Sequence, residues 1–148
     1  MILITSHKNL DFDGLAAMAA ASKLYKNSVL YMPWNLGKTV KKFHTFYKYN
    51  FKLFKDKDID FEKVEKVIIV DGMMRVLSPV LRRLIAKKKL PVILYDHHYM
   101  DEKITGSGVK KINIKYGACT TYLVEELFEK NIEISKEEAM LFMLGIYS

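Results

Sequence analysis

Residues 1–32 read MILITSHKNLDFDGLAAMAAASKLYKNSVLYM, and this stretch decides the fold. MILIT (1–5) and SVLYM (28–32) are short β-branched and aliphatic runs, the pattern of buried strands. Between them DGLAAMAAASKLY (13–25) is rich in alanine and opens on a capping-type acid, which predicts a helix. A strand, a helix and a second strand within about thirty residues form a βαβ unit, whose crossover is right-handed and whose strands are parallel.

The alternation continues. KVIIV (66–70) and PVIL (91–94) read as further buried strands. GKTVKKFHTFYKY (37–49) places Val40, Phe43, Phe46 and Tyr47 at helical spacing, with His44 on the helix surface. SPVLRRLIAKKK (78–89) begins with Ser78 as cap and Pro79 at the first helical position. ACTTYLVEELFEKN (118–131) and SKEEAMLFMLGIYS (135–148) complete the helices. FKLFK (51–55) offers an extra strand and DIDFEKV (58–64) a connection. The expected architecture is α/β, three-layered, with a mainly parallel sheet and helices on both faces.

A chain of 148 residues, half of them apolar, suits one domain with one core. No apolar run approaches the roughly 20 residues that span a bilayer, and the polar turn after MILIT excludes a secretory signal. The lone Cys119 excludes an internal disulfide, fits a cytoplasmic setting and is expected to pack in the core. The formal net charge of +7 makes an anionic partner plausible. Cations cluster in GKTVKK, RRLIAKKK and GVKKINIK, whereas acids gather at the ends of apolar runs. That arrangement surrounds an acidic pocket with a basic rim.

Open parallel sheets bind ligands beyond the carboxyl ends of their strands. The first strand runs into SHKNLDFDG, with His7, Asp11 and Asp13. The third ends at Asp71 and the fourth at Asp96, His97 and His98. Singly, each has an ordinary reading: Asp13 caps a helix, Asp71–Gly72 makes a turn, and the histidine pair sits in a wet turn. Those readings must all hold at three strand ends facing one side. Carboxylate and imidazole donors suit manganese, cobalt or magnesium, and the lack of thiolates argues against structural zinc. So many donors accommodate two ions, roughly 3.5–4 Å apart, that acidify a shared water for in-line attack on phosphorus. Thr120 and Thr121, after Gly117 at a helix start, could either cap the helix or donate to a phosphate. No dinucleotide or P-loop glycine motif occurs.

In order and spacing, SHKNLDFDG, VIIVDG, YDHH and YGACTTYLVEEL…LGIYS resemble the DHH phosphoesterase superfamily. The resemblance covers essentially the whole chain. It is nearest in look to the N-terminal DHH domain of proteins that continue into CBS and tRNA nucleotidyltransferase (poly(A) polymerase-like) modules. It implies a Rossmann-like DHH domain over 1–148 that hydrolyses phosphodiester or phosphoanhydride bonds in nucleic acid, oligonucleotide or polyphosphate. Manganese, magnesium or cobalt would be the cofactor, two ions per complete site. His7, Asp11 and Asp71 would hold one ion and Asp13, Asp71 and His97 the other, with Asp71 bridging. Catalysis would run through Asp71, His97 and His98, with a metal-bridged hydroxide as nucleophile. His98, Thr120, Thr121 and Arg75 would meet the substrate, and Asp96 would support the histidines.

Two departures concern loop stiffness: Leu10 stands where family members usually have proline, and Gly72 where a small hydroxyl residue is frequent. The family also carries a fourth-motif aspartate beyond a GIYS-like stretch and a domain that closes over the cleft. Neither falls within these residues, so the expectation is a chain truncated at its C-terminal end with weak or absent turnover. The alternative is an accessory domain that binds single-stranded nucleic acid or tRNA without hydrolysis. A haloacid-dehalogenase reading of DFDG fails, because that family's nucleophilic Asp sits directly at the strand end.

Overall fold

The computed structural model describes residues 1–97 and 108–148. Six strands form one sheet: β1 (Ile2–Thr5), β2 (Ser28–Tyr31), β3 (Leu53–Phe54), β4 (Lys66–Val70), β5 (Val92–Asp96) and β6 (Val109–Asn113). Their order is β3-β2-β1-β4-β5-β6 and every pairing is parallel, so the mainly parallel sheet expected is parallel throughout. Among the described residues, α1 (Phe12–Leu24), α2 (Lys38–Tyr47) and α3 (Pro79–Lys88) lie between strands, and α4 (Cys119–Glu129) and α5 (Lys136–Ile146) follow β6.

Strand alternation sorts the core into two layers. Ile4, Ile68 and Val70 pack with the buried alanines of α1 and with Leu123, Leu127 and Leu141 of α4 and α5. Leu3, Val67, Ile69 and Leu94 face the other way, onto Leu81 of α3. α5 lies hard against α1 because Gly145 has no side chain. A Cβ there would stand 2.5 Å from the Ala16 Cβ and 2.8 Å from the Thr120 hydroxyl.

The chain leaves β1 towards β2 and β3, then returns to lay β4 on the other side of β1. α1, which follows β1, covers one face, and α3, which follows β4, covers the other. The loops after these neighbouring strands therefore diverge and open a crevice between them. This is the topological switch point of a doubly wound sheet.

Three local readings change. The cap of α1 is Asp11, whose carboxylate accepts the Gly14 N–H at 2.8 Å, and not Asp13, which lies inside the first turn. β6 was legible only as a lysine cluster. It is an edge strand with a single partner, so its lysines can stay in water and its apolar alternation is weak. His44 is half-buried rather than on the outer surface, and its Nε2–H donates to the Phe51 carbonyl at 2.7 Å. FKLFK does supply β3, and the following connection forms the 3-10 turns Asp56–Asp58 and Phe61–Lys63. Among the described residues no helix is long and apolar enough to cross a membrane.

Candidate metal centre

The β1–α1 loop turns sharply through Asn9, at φ 52°, and buries Leu10 against Leu36 of the β2–α2 loop. This presents His7 and Asp11 at the crevice. His7 Nδ1 lies 2.7 Å from the Lys8 carbonyl, which can only accept, so Nδ1 carries a proton. The neutral ring then offers its Nε2 lone pair, and that atom lies 3.3 Å from Asp71 Oδ2 and 3.4 Å from Asp11 Oδ1.

Asp71 leaves β4 in the left-handed region, at φ 50°, with its N–H donated to the Tyr95 carbonyl at 2.9 Å. A non-glycine residue in that region is strained unless its surroundings hold it. Here the strain aims one carboxylate in two directions. Oδ2 meets His7, and Oδ1 lies 2.9 Å from His97 Nε2 at the end of β5.

Asp13 is the second residue of α1, within its first turn, and is 6% exposed. Its carboxylate accepts the Cys119 N–H at 3.0 Å, the Thr120 N–H at 2.9 Å and the Thr120 hydroxyl at 2.8 Å. Asp13 therefore caps α4 from another element, where the helix dipole favours negative charge. Its Oδ2 also lies 3.6 Å from His97 Nε2.

Two groups of donors result: His7, Asp11 and Asp71, and Asp13, Asp71 and His97. In each, one ligand atom per residue falls within 4.8 Å of the others. These residues could hold metal ions. Asp13 and Asp71 are nearly sealed from water, and buried carboxylates need a counter-charge or a metal. The electrostatics agree. Hydrogen bonds donated by His7 to Asp11 and Asp71 push it up to about 10, so without an ion the imidazolium is the local counter-charge. Burial alone would raise Asp11, but His7 and the Gly14 N–H override it and hold that carboxyl below its ordinary range. Burial, then the charge of Asp71, pushes Asp13 upward.

The donors line a cleft of about 520 Å³ together with Gly72, Met73, Arg75, Val76, Gly117 and Ser148. Arg75 and Ser148, the latter just past α5, are among its lining residues. Thr120 is fully buried, donates its N–H and hydroxyl to Asp13, and is not among the described lining residues. Thr121, half-buried on α4, is not among the described lining residues. Asp96 is buried in β5, paired through the backbone with Asn113, and His98 lies outside the described residues. Cys119 is buried, and burial first of all raises its thiol far above the usual range, as suits a packing residue. Sequence reading missed Trp34. Its Nε1–H donates to the Val76 carbonyl at 3.1 Å, and Lys8 Nζ sits 4.2 Å from its ring centre, tying the β1–α1 and β4–α3 loops together. The one signal available was a lone tryptophan in a Pro-Trp-Asn loop.

The family model described as DHH family, N-terminal domain, matches residues 1–146. The A-adding tRNA nucleotidyltransferase of Geobacter sulfurreducens is 32% identical over 99% of the chain, and that of Aquifex aeolicus is 34% identical over 93%. The chain spans only 17% and 15% of the length of those relatives. An exopolyphosphatase-related protein from Bacteroides fragilis superposes with a TM-score of 0.72 at 16% identity, over 98% of this chain and 44% of that one.

Proposed function

Because the chain belongs to the DHH family through its N-terminal domain, we propose that it is a divalent-metal-dependent phosphoesterase domain. Its bonds to cleave would be phosphodiesters or phosphoanhydrides. The observation that carries this reading is the double use of Asp71, one carboxylate oxygen in each of two donor groups at the switch point.

His7, Asp11 and Asp71 would hold one ion, and Asp13, Asp71 and His97 the second, with manganese the best match to a mixed carboxylate and imidazole set. Bound there, two ions would supply positive charge for phosphate oxygens and would lower the pKa of water. The protein's own residues do the positioning. The Lys8 carbonyl fixes the His7 tautomer, and the Cys119 and Thr120 donors orient Asp13. The strained Asp71 backbone keeps its carboxylate central, and Arg75 offers a cation to the substrate. His98 would face the phosphate and Asp96 would support the histidines.

Titration calorimetry with manganese should show binding that Asp71→Asn removes, with metal-dependent hydrolysis of a phosphodiester lost in parallel. A folded sample that takes up no divalent ion would overturn the reading. The relatives' names favour a second one, an accessory domain that binds nucleotide or tRNA without hydrolysing it. Metal uptake with no turnover of phosphodiester, pyrophosphate or polyphosphate would select it.

A further inference from the structure

From Gly14 to Lys55 the sequence contains eight lysines and no Asp or Glu. The densest part is α2 and the turn after it. Val40, Phe43 and Tyr47 turn inward onto the core. Lys38, Lys42 and Phe46, at steps of four, share the outward face, and Lys41 and Thr45 flank them. Phe46 is 82% exposed and Tyr49 90% exposed. Lys38, Lys41 and Lys42 form no ion pair with a carboxylate among the described residues. Large rings left in water beside uncompensated cations are not what folding alone selects.

The face is joined to the metal centre. α2 starts after Gly37, whose N–H donates to the Leu10 carbonyl at 2.9 Å, one residue before Asp11. The same pair of loops carries Lys8 and Trp34 in contact. A helix of ten residues is about 15 Å long, so the stripe spans a few nucleotides and starts beside the loop that carries Asp11.

We infer that the outward face of α2 is a docking surface for single-stranded nucleic acid, with bases stacked on Phe46 and Tyr49 and phosphates held by Lys38, Lys41 and Lys42. Isolated rings between lysines match the alternation of base and phosphate in an unpaired strand. Inorganic polyphosphate has no flat face to offer the rings. A bilayer needs a continuous apolar face, and α2 has turned its own inward. The inference deepens the phosphoesterase reading by naming a substrate class, and it rests on that reading only for delivery into the cleft.

The test is fluorescence anisotropy of a labelled, mixed-sequence single-stranded RNA oligonucleotide, with metal chelated by EDTA. Chelation separates the two proposals: docking is read without the metal centre, and a failed metal centre leaves docking intact. Phe46→Ala and Tyr49→Ala should each weaken binding by about 5-fold or more, with Phe46→Trp restoring it. Lys41→Gln with Lys42→Gln should flatten the plot of log affinity against log salt by about 1.4, roughly 0.7 per lost contact. Binding of inorganic polyphosphate should respond to the lysine changes and ignore the ring changes. The inference is overturned if the wild-type protein does not bind the RNA, or if both ring variants bind it as the wild type does. It is equally overturned if phosphatidylserine vesicles bind with the same ring dependence.

Discussion

At the scale of single residues, the centre is organised by who satisfies whom. Asp13 looks from the sequence like a helix cap or a metal ligand, and the structure makes it a cap for a different helix as well as a donor beside His97. Thr120→Val should therefore leave Asp13 short of a donor in a dry site and cost about 1–3 kcal/mol of stability. Manganese affinity should fall roughly 10-fold or more, as for a lost outer support, read by denaturation and by calorimetry. His7 sets a pH dependence. Its folded value near 10 lies above the ordinary 6.5, so its ion pairs stabilise the metal-free protein fully below about pH 6.5 and fade as pH rises towards 10. A cation must displace that proton. Metal affinity should rise with pH across this window, and calorimetry in buffers of different ionisation enthalpy should show proton release on binding. The candidate ligands were legible because carboxylates and imidazoles after apolar runs are few in kind. The Asp11 cap was not, since two acids two residues apart both fit the start of a helix.

At the scale of elements, the strands and helices followed from local pattern, and the exceptions have local causes. β5 continues to Asp96 because β6 pairs it that far, at Asn113, whereas β4 pairs it only to Tyr95. β6 lacked a readable signal because an edge strand can keep lysine in water. The close approach of α5 to α1 was also hidden, since a glycine near the end of a helical run does not announce its neighbour. Gly145→Ala should destabilise by about 1–3 kcal/mol, as its Cβ meets Ala16 and Thr120 below contact distance. Urea denaturation should show a lower midpoint at unchanged slope. Because Thr120 holds Asp13, the same variant should weaken manganese binding although position 145 does not line the cleft.

At the scale of the whole molecule, the crevice exists because the chain reverses its winding between β1 and β4. Metal binding at a junction of three strands and two helices would couple the proposed site to global stability. Saturating manganese, at about 100 times its dissociation constant, should add about 2.7 kcal/mol and raise the melting temperature, with EDTA reversing the shift. The single tryptophan, Trp34, braces two of the loops involved, so its fluorescence should report the same titration. The α/β class, the strand-end donors and the excess of positive charge were all determined by the sequence itself, because apolar periodicity and charge are local properties of a chain. Tertiary structure alone decided that Asp71 divides its two oxygens between His7 and His97. It also decided that Asp13 caps α4, and that Ser148 and Trp34 stand at or beside the cleft. Those relations join residues far apart in sequence, through strand order and backbone direction, and no local pattern encodes them.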